Sequence, residues 1–173
     1  MQIALIVSFI ADDRPGLTET VSTLVADHGG NWEDARLVRL GGKFAGLMLV
    51  SLPSAQADTF TAALAALAEQ GIDARVTPAG EESDGAAEIQ LDILGPDRPG
   101  IVREITRALN NAGINIHSME SRVTPAPMSG EALFTARILA AAPDTTAEID
   151  LRRALDAVAE ATTLDIDIAQ LSS

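Results

Sequence analysis

Apolar residues recur along this chain in two rhythms, and the rhythms change in the same order twice. Gln2 to Ile10 is a short apolar run, and further on Ile89, Leu91 and Ile93 alternate with Gln90 and Asp92, the period of a half-buried strand. Leu17, Val21, Leu24 and Val25, and later Ile101, Val102, Ile105 and Leu109, then fall at helical spacing. Each helical run stops at a glycine, Gly29 or Gly113, suited to ending a helix.

Two strands follow in each half. Asn31 to Leu40 and Lys43 to Ser51 are joined by Gly41-Gly42, a dipeptide that reaches positive φ freely and so predicts a tight hairpin. In the second half the strands run near Asn115 to Thr124 and Glu131 to Ala141, around a longer turn, Pro125 to Gly130. A second helix is predicted over Ala55 to Gln70 and over Thr145 to Glu160, the latter opening with Thr145-Thr-Ala-Glu148 at capping-box spacing. Closing strands are Asp73 to Thr77 and the alternation Leu164, Ile166, Ile168. The order β-α-β-β-α-β, twice, predicts an α+β chain of two ferredoxin-like units, each an antiparallel four-stranded sheet with two helices on one face. The expected division is a first domain over 1–79, a polar, acidic linker over 80–86, and a second domain over 87–173.

The halves also share residues. Asp13-Arg14-Pro15-Gly16 recurs as Asp97-Arg98-Pro99-Gly100, and Gly29-Gly30-Asn31 as Gly113-Ile114-Asn115, both shifted by 84 positions. Matching Phe44 to Phe134 and Pro53 to Pro143 moves the offset to 90, so six residues were inserted at the second hairpin tip, where insertions are tolerated. One module has been duplicated.

Composition narrows the functions open to such a duplicate. Lys+Arg of 12 against Asp+Glu of 25 gives a formal charge of −13, and the cations are scattered, so a surface that binds nucleic acid directly is not expected. With no cysteine there is no disulfide framework or thiolate nucleophile, and His28 and His117 stand too far apart to suggest a metal site. Met1 to Ala11 is apolar enough for a secretory segment, yet it lacks a basic start, runs into Asp12-Asp13 and has a counterpart at Glu88 to Leu94; it reads as a strand. No membrane span is expected, and the expected location is cytoplasmic. Gly-x-Ser-x-Gly, phosphate-loop and metal-spaced patterns are absent from the sequence, which predicts no catalytic residues, no metal and no cofactor.

A split βαβ unit with Asp-Arg-Pro-Gly between its first strand and helix, and Gly-x-Asn before its second strand, resembles the ACT domain, a small-molecule-sensing module of amino-acid metabolism. Asp13 to Gly16, Asn31-Trp-Glu-Asp-Ala-Arg-Leu37 and Gly42-Lys-Phe-Ala-Gly-Leu-Met-Leu49 are most similar to the tandem-ACT family of the glycine cleavage system transcriptional repressor. ACT units of formyltetrahydrofolate deformylase and of nitrogen-sensing uridylyltransferases carry similar motifs, but those proteins hold separate catalytic domains for which this chain has no room. Trp32, where Ile116 is the more typical residue, sets the first copy apart.

The repeated turn supplies candidate ligand chemistry. Gly16 and Gly100 leave backbone bare at a helix start, where N–H groups attract an anion such as an amino acid's carboxylate, and Pro15 and Pro99 suit a first helical turn. Asn31 and Asn115 offer a side-chain carbonyl to its ammonium, with Asp12 or Asp13 as counter-charge and His117 lining the same strand face as Asn115; with Arg14, Asp97 and Arg98 of the repeated turns these make up the candidate ligand-binding residues. Plainer readings stand beside these. Asp13 and Asp97 can simply cap the helices, Arg14 and Arg98 can be solvated or paired, Asn31 and Asn115 can occupy left-handed turns, and Trp32 can belong to a core or interface.

The expected function is a non-enzymatic sensor of a small amino acid, glycine-like or serine-like, that forms a homodimer and controls a regulatory protein partner, with transcriptional control of glycine cleavage as the output the resemblance implies. The alternatives are a ligand-free interaction scaffold, or a general sensor of nitrogen and one-carbon metabolism.

Overall fold

A computed structural model describes residues 1–81, 87–127, 130–142, 145–162 and 164–170. The centre of the expected linker, the tip of the second hairpin (128 and 129) and Pro143 lie outside these residues, as do the side chains of the capping box Thr145 to Glu148. The chain divides into two compact units, Met1–Glu82 and Ser83–Ser173.

In the first unit β1 (Gln2–Asp12), α1 (Leu17–Asp27), β2 (Asn31–Leu40), β3 (Lys43–Pro53), α2 (Ala57–Ala66) and β4 (Ile72–Pro78) follow in that order. Short 3-10 turns extend α2 at both ends. The second unit repeats the order with β5 (Ala87–Pro96), α3 (Ile101–Asn111), β6 (Asn115–Pro125), β7 (Ala132–Ala142), α4 (Thr145–Thr162) and β8 (Asp165–Gln170). The sheets are antiparallel, ordered β2-β3-β1-β4 and β6-β7-β5-β8. This is the ferredoxin-like α+β architecture that the periodicity predicts.

Alternation decides which face each sheet buries. Leu5, Val7, Phe9 and Ala11 point to one side of β1 and pack with Met48, Val50 and Leu52 of β3 against Leu17, Val21 and Val25 of α1 and Phe60 and Leu64 of α2. Both helices therefore cover one face. Ile89, Leu91 and Ile93 play the same part with Ile105, Leu109, Leu151 and Leu155 in the second core. Among the described residues, the opposite face of each sheet carries no helix of its own unit.

Glycine ends the first helices in the same way. His28 and Ala112 are the last half-helical residues, and Gly29 and Gly113 follow at φ +66° and +71°, with Gly30 N–H donating to Val25 O and Ile114 N–H to Leu109 O. Gly41 and Gly42 both take positive φ, as a two-residue hairpin turn requires.

One shared feature has no obvious mark in the sequence. The register of β2 slips between Trp32 and Asp34, and that of β6 between Ile116 and Ser118, so Glu33 and His117 are bulged at equivalent positions. A bulge re-aims a side chain and increases local twist. Here it turns Glu33 toward Ser51 at the foot of the open face.

Candidate functional site

The Asp-Arg-Pro-Gly turn leaves the end of β1 and starts α1. Gly16 is the N-cap at φ +89° and Gly100 its counterpart at +98°, and no side chain caps either helix. The caps expected from Asp13 and Asp97 are therefore not formed. Gly16 and Gly100 occupy the capping position, and Asp13 instead pairs with Arg39 at 2.7 Å while its N–H donates to Gly42 O. Asp97 is exposed, and its N–H donates to Ala132 O at 2.8 Å. Pro15 and Pro99 precede the N-cap and so lie just outside the first helical turn.

The left-handed glycine offers no side chain to the first-turn N–H groups, and a cavity of about 320 Å³ lies there, lined by Asp13, Arg14, Gly16, Thr18, Glu19 and Phe44. Thr20 folds back, its Oγ1 donating to Gly16 O at 2.9 Å. Charge surrounds the opening. Asp12 bonds Lys43, which holds its carboxyl below the usual carboxylate range by hydrogen bond and by charge. Arg14 donates to Gln70 O at 3.1 Å.

The second turn is wired differently. Arg98 forks onto Glu104 with Nη1–Oε1 at 3.1 Å and Nη2–Oε2 at 2.6 Å, which pulls the Glu104 carboxyl down and pushes the guanidinium up. Arg14 has no equivalent because Thr20 stands where Glu104 would be.

Asn31 and Asn115 do not join these turns within their own unit. Asn31 opens β2 in extended conformation opposite Ser51, whereas Asp12 stands opposite Lys43, eight residues away along β3. That separation is about 27 Å at roughly 3.4 Å per residue, far beyond the span of one amino acid. The same holds for Asn115, opposite Ala141, and Asp97, bonded to Ala132. A single pocket holding both groups is thus not formed within a repeat, because β2 runs parallel to β1 and its entrance lies at the end where β1 begins.

At that entrance a second polar group is assembled. Ser51 Oγ donates to Glu33 Oε1 at 2.6 Å, and Asn31 also bonds Glu33, so this carboxylate is held below its usual range. In the second repeat Ala141 replaces the hydroxyl and exposed His117 replaces the acid. Trp32 packs half-buried on the first core, and His28 Nδ1–H donates to Leu24 O at 2.8 Å with its ring edge-on to Phe60, so neither reaches the candidate site. Among the described residues no cluster of His, Cys, Asp and Glu could hold a metal, and no helix is long and apolar enough to cross a membrane.

The duplicated βαββαβ order with its two glycine-started helices agrees with direct comparison. An ACT domain is matched over residues 4–77 and a second over 89–159. The chain belongs to the ACT-domain family. It is 27% identical over 158 residues to the glycine cleavage system transcriptional repressors of Escherichia coli K12 and Shigella flexneri, covering 89% of this chain and 83% of each of those. A crystal structure of an unknown protein from Galdieria sulphuraria superposes with a TM-score of 0.89 at 31% identity, covering 99% of this chain and all of that one. Another solved chain, provisionally designated a glycine cleavage system transcriptional repressor, shares the fold at a TM-score of 0.74 and 20% identity, with 100% and 99% covered. This tandem ACT protein is therefore a relative of the glycine cleavage repressors along nearly its whole length.

Proposed function

We propose that this tandem ACT protein is a non-enzymatic sensor of a small amino acid that controls a regulatory protein partner, with glycine cleavage as the regulated process. The observation that carries the reading is the uncapped helix start. Two copies of the same turn each present backbone N–H donors and the positive end of a helix dipole behind a glycine cap, with Glu19 and Glu104 as the acids of the first turns and no side-chain hydrogen bond from the cap. A carboxylate ligand satisfies those donors. Its ammonium then finds Asp13 or Asp12 at the rim of the first turn, in competition with Arg39 and Lys43. Glycine and serine are small enough for such a cavity.

Control through a protein partner follows from charge, since a chain at −13 that regulates transcription needs a basic protein to reach DNA. The names of its curated relatives, transcriptional repressors of glycine cleavage, support that output.

The strand entrances at Asn31 and at Asn115 with His117 form a second polar pole, proposed as the alternative seat for the ligand. Calorimetric titration of glycine and serine separates the poles. Binding lost in Asp13→Ala and kept in Asn31→Ala assigns the ligand to the turn, and the reverse result moves it to the strand entrance. Saturable binding by neither amino acid, at any concentration up to millimolar, contradicts the glycine-like or serine-like assignment.

A further inference from the structure

The two repeats share a fold but not an open face. On the side of the first sheet away from its helices Ile10, Val38 and Leu47 are 46%, 56% and 50% exposed; Ile10 of β1 and Val38 of β2 both flank Ala45 of β3, and Leu47 follows two residues along β3. The equivalent places in the second sheet are Leu94, Arg122 and Arg137, with Asp92 bonded to Arg137. Duplication therefore left one open face apolar and made the other polar. An apolar patch of this kind on a strongly charged chain marks an interaction surface.

We infer that the open face of the first sheet is the surface on which a second copy of this chain docks, sheet against sheet. Charge selects this occupant. The face carries Asp12, Glu33, Asp34 and Asp73 against Arg36, Lys43 and Arg75, a net charge of −1, so it is close to neutral although the chain is at −13. A partner of opposite net charge would instead be met by an acidic face, and two like-charged copies associate most readily where their own charge nearly cancels.

A twofold axis along the strands lays β2 of one copy over β4 of the other, with Arg36 level with Arg75 of the second copy and Asp73 and Asp34 diagonally to either side of them. Four strands at about 4.8 Å spacing and roughly 30 Å of length offer about 600 Å² per copy, or about 1,200 Å² in total, which meets the lower bound of specific interfaces. The inference does not depend on ligand binding at the turns.

The second repeat supplies the substitutions that test it, because the same fold already carries Arg122 and Arg137 at these places. Sedimentation equilibrium of the full chain is expected to give a dimer, and Val38→Arg with Leu47→Arg is expected to weaken the dimer at least tenfold while the circular dichroism spectrum stays that of the parent. Leu47→Arg alone gives the same direction and serves if the double variant loses its fold. Arg122→Ala, on the other open face, should leave the dimer intact. A dimer that survives both arginine variants, or one abolished by Arg122→Ala, overturns the inference. So does a monomeric parent at high micromolar concentration, which would assign the apolar face to a different protein.

Discussion

Phe9 and Gly46 stand opposite each other on β1 and β3, and the ring lies over the bare glycine backbone. A Cβ on Gly46 would come within 2.6 Å of Leu37 Cδ2 and 2.9 Å of Phe9 Cζ, both on the helix-covered side. In the second repeat the corresponding pair is Ile93 and Ala136, with the larger residue shortened and the smaller one extended. The exchange conserves volume across one pair of strands.

Gly46→Ala should therefore destabilise the chain by about 1–3 kcal/mol through overpacking, and Phe9→Ile in the same chain should recover much of that loss. Denaturant unfolding of the two single variants and the double variant measures the coupling, expected at about 0.5–3 kcal/mol. Additive effects would show that Phe9 and Gly46 do not constrain each other.

Gly16→Ala tests the helix start separately. Nothing lies within 4 Å of the added methyl, so the cost comes from φ +89° alone, about 1–2 kcal/mol of backbone strain. Asp13→Ala should cost less, within about 1 kcal/mol, because it removes a partly exposed ion pair and no cap. Melting temperatures in the opposite order would restore Asp13 as the cap.

Acid should destabilise the fold through named carboxylates. Asp12, Glu33, Asp34, Asp92 and Glu104 are all held below their ordinary range, chiefly by hydrogen bonds from Lys43, Ser51, Arg36, Arg137 and Arg98 respectively. Their unfolded forms take up protons first as pH falls, so their contribution is complete above the ordinary carboxylate pKa of about 4 and is lost on descending through the lower folded values. The melting temperature should be flat from pH 7 to about pH 5 and fall below that, and Glu104→Gln should fall less steeply than the parent. A parent that gains stability on acidification would contradict these pairings.

Duplex DNA should not be retarded by the isolated protein at physiological salt, since a −13 chain without a basic stripe cannot make the phosphate contacts on which such binding depends. Gel retardation that weakens steeply with added salt would refute this.

Periodicity and the matched turns made the fold legible, because a strand buried on one face and a helix with one apolar stripe must write their periods into the chain. Boundaries moved by a residue or two, as at β1, which continues from Ile10 to Asp12. The site was half legible. Asp-Arg-Pro-Gly marked the helix start, but the sequence does not state that β2 runs parallel to β1, and that direction places Asn31 at the far end of the sheet from Asp13. The type of Asp13 and its place before a helix allow a cap as one of its two readings; two intervening residues, Arg14 and Pro15, and a left-handed Gly16 give the position to the glycine. The bulges at Glu33 and His117 leave no residue signature, being set by pairing with β3 and β7. The pairing of Asp13 with Arg39 likewise depends on the β2-β3 hairpin bringing 26 residues of chain back to the turn.

The central claim, an amino acid held at the uncapped turns, is tested most directly by thermal shift of the parent and of Gly16→Ala with Gly100→Ala against the common amino acids. A ligand at about 100 times its dissociation constant adds roughly 2.7 kcal/mol of stability, a shift of several degrees for domains of this size. The account predicts that glycine or serine gives such a shift in the parent and that the double variant loses it. No shift with any amino acid, or an equal shift in both proteins, would contradict it.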